Sequence, residues 1–418
     1  MQKFKGHSMR LQYKKSQRLF SVFFVVVFAI VFSQAFHNSF LCAEGIDIVY
    51  TWVDGGDAKW QEIRNKYFDE HRPFLVHVDA NTKNRYRNRD ELKYSLRSLN
   101  LYAPFINHIY IVTFGQRPKW LKDDPRITIV DHQEIFLNRE DLPTFNSHAI
   151  EANLHRIPNL SEKFIYFNDD VFLGAPVNIS DFFTENGQIC VNQDIYRVPT
   201  GPVMPDEVAY DSAWRNTDAL LTLYFKKGKR YKLAHAPFAL TKSILQEVET
   251  RFPHVFQLVS THRFRMPSDF TMTNGLIPYY AIYTKKAKLT KTPALMVRIG
   301  PNVEKNAKRF EKIRKNTYKF FCMEDVAVED NDAADCQLHE FFESYFPQIA
   351  SWEEEYSTPL QESSRRSAVD ANTANTNTAN TSTAVHTNKD ETLDTALGNL
   401  ETNVQSTKVD RMLPLRRF

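Results

Sequence analysis

The sequence predicts an α/β fold, a mostly parallel sheet flanked by helices. Short apolar runs of strand character recur through the first half, helix-period stretches separate them, and each run ends in polar residues. Alternation of strand and helix favours parallel strands with helices on both faces. The spacing predicts strands over Asp47–Val53, His108–Phe114, Arg126–Val130 and Lys163–Phe167. It predicts helices over Glu91–Leu101 and His148–Ile157. The second half is less regular, with helical patterns at Lys242–Phe252 and at Thr271–Tyr283, the latter holding Tyr279, Tyr280 and Tyr283.

In such sheets ligands bind beyond the carboxyl ends of the strands. The first strand delivers Asp54-Gly55-Gly56-Asp57, the second Gly115-Gln116-Arg117, the third Asp131-His132 and the fourth Asn168-Asp169-Asp170. Any one of these could simply make a turn. Paired carboxylates after a fully apolar strand read instead as a place for a metal–diphosphate. Further on, His235 stands two residues before Pro237, and Arg263, Arg265 and Asp269 follow about thirty residues later.

The ends of the chain read differently. Residues 1–18 hold Lys3, Lys5, Arg10, Lys14, Lys15 and Arg18 with no acidic residue, and an apolar run covers 19–36. At about 1.5 Å per residue that run just spans a hydrocarbon core of roughly 30 Å. A basic flank keeps the N-terminus cytoplasmic, giving a type II signal anchor. A cleaved signal peptide processed near Ala43 is the alternative. From residue 364 to 418 the composition turns to Asn, Thr, Ala and Ser, too polar to form a core, so a disordered tail is expected. The folded domain is therefore expected over 45–356. A net charge of +3 excludes nucleic acid as the evident partner. Cys42, Cys190, Cys322 and Cys336 show no metal-ligand spacing. Cys322 with Cys336 is the nearest candidate pair, with free buried thiols the alternative. Asn159, Asn178 and Asn380 begin glycosylation triplets.

Four ordered blocks resemble the Stealth family, which includes bacterial capsule hexose-1-phosphate transferases. The likeness extends to the catalytic core of the Golgi N-acetylglucosamine-1-phosphotransferase alpha/beta subunit. The first block is Ile46-Asp-Ile-Val-Tyr-Thr-Trp-Val-Asp-Gly55. The second runs through Asp90-Glu-Leu-Lys-Tyr-Ser-Leu-Arg-Ser98, Ile111-Val-Thr-Phe-Gly-Gln116, Leu142-Pro-Thr-Phe145 and Lys163-Phe-Ile-Tyr-Phe-Asn-Asp-Asp-Val171. The third reaches from His235 through Arg265 and Asp269 to Tyr280, and the fourth is Phe321-Cys-Met-Glu-Asp325 with Phe341-Phe-Glu-Ser-Tyr-Phe-Pro347 behind it. Two positions depart from the family pattern: Asp54 stands where the Golgi enzyme carries Asn, and Glu324-Asp325 where Asn-Asp is usual. Only about 60 residues, with the single cysteine Cys190, separate Gly174 from His235. The cysteine-rich recognition modules of the lysosomal-enzyme transferase do not fit there, so recognition of lysosomal proteins is not implied.

The resemblance implies transfer of a hexose-1-phosphate onto a glycan hydroxyl, with UDP-N-acetylglucosamine the expected donor and a nucleoside monophosphate the leaving group. It implies a divalent cation, Mg²⁺ or Mn²⁺, held by Asp169 and Asp170. Arg265 would bind phosphate oxygens, and His235 is the first choice of base, with Asp54 or Asp269 as alternatives. Thr51, Trp52, Val53, Asp54 and Gly55 would hold the nucleotide. A single-pass Golgi membrane protein with a lumenal catalytic domain is expected, with homodimerisation left open. Two other classes remain at this stage: a metal-dependent glycosyltransferase releasing a nucleoside diphosphate, and a non-catalytic glycan-binding protein.

Overall fold

Strand β1 (Ile46–Thr51) is β-branched and aromatic nearly throughout and is buried on both faces, as a central parallel strand must be. The computed structural model describes residues 45–71, 80, 82–204, 207–226, 228–315, 318–326 and 331–354. In it β1 lies between β2 (Ile106–Thr113) and β4 (Lys163–Asn168), with β3 (Ile127–Asp131) outside β2. These four strands run parallel. The fifth, β8 (Phe238–Thr241), closes the β4 edge antiparallel, making the sheet mostly parallel as expected.

The chain leaves this sheet after Asn168 and, two residues later, enters β5 (Val171–Leu173) of a second sheet. There β5 pairs antiparallel with β11 (Phe320–Asp325), which in turn pairs parallel with β10 (Ala294–Ile299). A third small sheet joins β6 (Ile189–Arg197) to β7 (Tyr231–Leu233) and β9 (Ala287–Thr290). These strands organise the half of the sequence that looked irregular.

Helices α1 (Ala58–His71) and α2 (Glu91–Tyr102) follow β1. Helix α2 is buried on every side from Glu91 to Leu99. Its Leu92, Leu96 and Leu99 enter the main core, while Tyr94 stacks on Phe342 with ring centroids 4.6 Å apart in a second, aromatic core. A helix buried all round belongs between two packed layers. Its hydroxyls join them: Ser95 donates to the Val171 carbonyl, and the Leu173 amide donates to Ser98 at 3.0 Å.

Shorter helices complete the layers: α3 (His132–Ile135), α4 (Ser147–Glu151), α5 (Ala209–Phe225), α6 (Lys242–Arg251), α7 (Pro253–Thr261), α8 (Ile277–Tyr283), α9 (Val303–Lys315) and α10 (Asp332–Tyr345). One predicted helix is broken, and another is helical throughout but opens irregularly. The stretch expected at His148–Ile157 is α4 followed by a 3-10 turn at Leu154–Arg156, because the Asn153 side-chain Nδ2 donates to the Ala149 carbonyl in place of the backbone and Pro158 follows. The stretch expected from Thr271 opens as a wide π turn at Met272–Leu276. Pro278 has no N–H to offer the carbonyl four residues back, and the wider turn accommodates that loss.

Cys190, Cys322 and Cys336 are free thiols, so the Cys322–Cys336 pair is not formed, and Cys42 lies outside the described residues. Among the described residues no helix is long and apolar enough to cross a membrane. The expected anchor at 19–36 and the tail at 364–418 lie outside them.

The end of the described chain is fastened to α2 by charge. Arg97, only 2% exposed, donates to both carboxylate oxygens of Glu353 at 2.8 to 3.0 Å, to Glu343 at 2.9 Å and to the Phe346 carbonyl at 2.8 Å. Removing one partner of such a pair strands a buried charge, at a cost of about 3–5 kcal/mol. Arg97→Ala should therefore lower unfolding free energy in denaturant titration by about that amount, and an Arg97→Met, Glu353→Leu double variant should lose distinctly less.

Candidate functional site

Parallel register aligns the strand ends. Thr51 lies opposite Val112 on one side and Asn168 on the other, and Thr113 lies opposite Asp131. The β1 end is held by backbone contacts rather than by side-chain packing alone. The Asp54 amide donates to the Gln116 side chain, which returns a bond to the Asp54 carbonyl, both at 3.0 Å. The Gly55 amide donates to the Tyr86 carbonyl at 2.9 Å. A Cβ on Gly55 would lie 2.0 Å from that oxygen, so only glycine fits. Asp54 turns one carboxylate oxygen back to the Gly56 amide at 2.9 Å. Of the predicted nucleotide segment, Trp52 is buried in the main core and Val53 packs on the Trp60 cluster. Thr51, Asp54 and Gly55 are therefore the members with groups directed to the edge, and Thr51 hydrogen-bonds Tyr166 at 2.9 Å.

Asp169 and Asp170 fill the two-residue turn between β4 and β5. The turn is fixed from below, where the Met323 amide donates to the Asp170 carbonyl at 3.0 Å. The Cys322 thiol approaches Asp170 Oδ2 at 3.4 Å, while Asp170 Oδ1 is buried without a hydrogen-bond partner. Burial pushes the Asp170 carboxyl up to about 7; the Cys322 contact opposes this, and the charges of Glu91 and Glu324 reinforce it. Burial, then Asp170 and Glu91, hold Asp169 well above the usual carboxylate range. Both residues are partly exposed as a whole, while Asp170 Oδ1 itself is buried.

A divalent cation fits this turn. It would satisfy the orphaned oxygen and neutralise carboxylates that crowd one another. Among the described residues no three His, Cys, Asp or Glu side chains are grouped as a complete metal site. Two carboxylates with the remaining positions left to water and phosphate oxygens is the pattern Mg²⁺ favours.

His235 sits between β7 and β8, its ring 5.7 Å from that of Tyr210. Among the described residues neither ring nitrogen has a hydrogen-bond partner. Burial lowers its pKa, against the pull of Glu324 and Asp194 and with the push of Lys232 and Arg265. Arg265 donates to the Ser147 hydroxyl at 2.8 Å, and among the described residues no carboxylate lies within ion-pairing distance of it. Burial, with Arg85 nearby, lowers its pKa, while Glu151 and Asp269 oppose the shift.

Asp269 is fully buried. It accepts from Asn146 at 2.9 Å and from the Met266 amide at 3.1 Å, and faces His262 at 2.6 Å and His148 at 3.4 Å. It thus pins the loop bearing Arg265 to the turn bearing Ser147. Burial alone would raise its pKa, but hydrogen bonds from His148 and His262 bring it to about 2.

Electrostatics link these groups only in part: Glu324 acts on both Asp170 and His235, and Arg265 acts on His235, while Asp54 stands at the neighbouring strand end and Asp269 holds the loop bearing Arg265. Sequence reasoning missed Glu91, Glu151, Ser147, Cys322 and Glu324. Buried Glu151 accepts from the Thr273 amide and hydroxyl at 3.2 and 2.7 Å. Glu91 and Glu324 lay inside the quoted blocks, and an acidic residue ending or beginning an apolar element was the available signal.

Models of the four conserved regions of Stealth proteins match residues 44–72, 85–191, 234–282 and 311–362, together more than half of the chain. This chain belongs to the Stealth family. Asp54 lies in conserved region 1, Asp169 and Asp170 in region 2, His235, Arg265 and Asp269 in region 3, and Cys322 and Glu324 in region 4. Through Glu324, residues of regions 2, 3 and 4 act on one another electrostatically. Relatives include two exopolysaccharide phosphotransferases of Streptomyces coelicolor, 39% identical over 75% of this chain and 45% over 58%. Exopolysaccharide phosphotransferase CpsY of Mycobacterium tuberculosis is 36% identical over 74%. The chain spans 58%, 41% and 58% of these three proteins respectively. A solved galactosyltransferase, LgtC, overlays 74% of this chain and 98% of its own at 11% identity and a TM-score of 0.37.

Because the Asp269 pKa is depressed, its ionised form contributes stability that is present above the unfolded value near 4 and is lost as pH falls through about 2. Asp269→Asn should lower unfolding free energy by about 2 kcal/mol at neutral pH. In denaturant titrations the difference from the parent should shrink as pH falls from 4 toward 2.

Proposed function

We propose that this Stealth protein transfers a sugar-1-phosphate from a nucleotide sugar to a glycan hydroxyl, forming a phosphodiester and releasing a nucleoside monophosphate. The supporting observation is that, among the described residues, Asp170 has an orphaned oxygen, the Arg265 guanidinium has no carboxylate partner and the His235 nitrogens have no hydrogen-bond partner, with Glu324 acting on both Asp170 and His235. A glycan-binding module has no use for all three. The names of its relatives as exopolysaccharide phosphotransferases support the same reaction class.

In this reading the acceptor oxygen attacks the phosphorus that bears the sugar, and His235 takes the hydroxyl proton. Burial lowers its pKa and so favours the neutral ring, the form that can act as a base. The bond from that phosphorus to the bridging oxygen breaks, and the electron pair leaves with the nucleoside monophosphate. Arg265 donates to non-bridging oxygens as negative charge gathers on them, which a guanidinium can do at two oxygens at once. Asp169 and Asp170 would hold Mg²⁺ or Mn²⁺, which when bound supplies charge neutralisation of the diphosphate. Thr51, Asp54 and Gly55 would line the nucleotide side, and Asp269 acts through Arg265 as a positioning residue. UDP-N-acetylglucosamine is the proposed donor. The basic flank before 19–36 supports a type II anchor with this domain across the membrane, in the Golgi if the host has one.

The reaction class is tested by identifying the nucleotide released from a panel of nucleotide sugars. Monophosphate with a phosphorus NMR signal for a diester is expected; stoichiometric diphosphate with no phosphorus in the glycan would establish a glycosyltransferase instead. His235→Ala should reduce kcat by roughly 100- to 10,000-fold and remove an acidic pH limb lying below 6.5. Asp169→Asn and Asp170→Asn should each cost at least about 100-fold in turnover with little loss of thermal stability, and chelation should abolish activity until Mg²⁺ or Mn²⁺ is restored.

A further inference from the structure

Strand β11 brings a thiol, and no cation, to the Asp169–Asp170 turn. Along it Phe321 and Met323 enter the aromatic core while Phe320 and Cys322 enter the main core, the alternation of a strand buried on both faces. Antiparallel pairing with β5 sets Cys322 opposite Val171, the pair next to the turn. One residue further on, the Met323 amide donates to the Asp170 carbonyl at 3.0 Å, so the backbone of β11 holds this aspartate in place. The Cys322 side chain, 2% exposed, then reaches Asp170 Oδ2 at 3.4 Å. An ionised carboxylate has no hydrogen to give, so the thiol is the donor.

The cations that reach the end of β11 are engaged by its other acidic residues. Arg87 and Arg89 both pair with Asp325 at 3.2 Å, and Arg298 pairs with Glu324 at 2.9 Å. Among the described residues none pairs with Asp170, whose Oδ1 is buried with no hydrogen-bond partner. The two oxygens of one carboxylate are thus treated differently: Oδ2 meets a weak, neutral donor and Oδ1 meets nothing. A buried acceptor left in this state calls for a partner. An arginine in place of the thiol would neutralise the aspartate, and an apolar side chain would leave both oxygens without a donor. A weak donor orients the group and leaves its charge available.

We propose that Cys322 is a positioning residue for the divalent cation: its thiol fixes Asp170 through Oδ2 and leaves Oδ1 as the oxygen available to the ion. The inference rests on the cation reading given above. Hydrogen-bond partners behind a ligating carboxylate orient it, and their loss weakens metal binding by about 10- to 100-fold. Cys322 acts only through Asp170, because its buried sulfur is closed to a nucleotide or a glycan. The competing account is that Cys322 is a small apolar side chain filling the core, as buried cysteines commonly do. Valine, of similar bulk and without a donor, separates the two accounts.

The test uses the full-length chain with Mn²⁺ alone as the probe, its binding followed by the electron paramagnetic resonance signal of the free ion. Cys322→Val keeps the bulk and removes the donor, Cys322→Ser keeps a donor, and Asp170→Asn removes the charged ligand itself. Thermal melting without metal establishes that each variant is folded, and Cys322→Ala takes the place of valine if valine does not fold. The expected result is Mn²⁺ binding weakened about tenfold or more in Cys322→Val and largely retained in Cys322→Ser. Equal affinity of the parent and Cys322→Val would overturn the proposal. Equal weakening by serine and valine would do the same, because it would assign the loss to packing. A parent that binds no Mn²⁺, or binds it as well after Asp170→Asn, would instead refute the cation site at Asp170, and the inference with it.

Discussion

Two carboxylates confined to a two-residue turn, between strands that belong to different sheets, set the terms for the rest of this structure. Asp169 and Asp170 have no length of chain over which to relax: β4 ends at Asn168 and β5 begins at Val171. The turn is gripped by the main sheet on one side and by β11 on the other. Crowded and partly desolvated, the pair raises the energy of its own ionised form. Such an arrangement persists only where surrounding packing over-determines it.

That packing comes from α2 and the aromatic core. Helix α2 contributes leucines to the main core and Tyr94 to the second, and its serines reach β5 on both sides of Phe172. Arg97 then ties the same helix to Glu343, Phe346 and Glu353 near the end of the described chain. On the other side of the recess Asp269 does comparable work for the Arg265 loop, through four polar partners rather than through apolar contact. Rigid support behind these loops is what keeps charged groups from collapsing into ion pairs. Arg265, whose hydrogen-bond partner among the described residues is Ser147, is the clearest instance.

The main sheet was legible because strand character and strand endings are local properties. β1 through β4 were each expected within a few residues of where they lie, and their polar ends named Asp54, Asp169 and Asp170. What was not legible depended on pairing between distant segments. Cys322 meets Asp170 only because β11 pairs with β5, and no feature of its own neighbourhood in sequence points there. Glu324 stood out only as a departure from a family pattern, yet its charge reaches Asp170 and His235. The helix expected over His148–Ile157 is interrupted, and the one expected from Thr271 is helical but starts as a π turn, for local reasons (Asn153 and Pro158 in one, Pro278 in the other) that periodicity alone overlooks. Trp52 read as part of a nucleotide segment because it sits among such residues, although strand alternation sends it into the core.

The rim formed by Asp54, Gly55, Tyr86 and Gln116 has a thermodynamic consequence of its own. Its contacts are made by backbone amides and carbonyls and by one side-chain amide that both gives and receives. A rim closed in this way is already ordered before any ligand arrives, so binding incurs little conformational entropy there. It also cannot widen without breaking several hydrogen bonds together. In the proposed reading, a nucleotide bound at this end would therefore meet a fixed surface, where a pliant loop would have yielded to fit it.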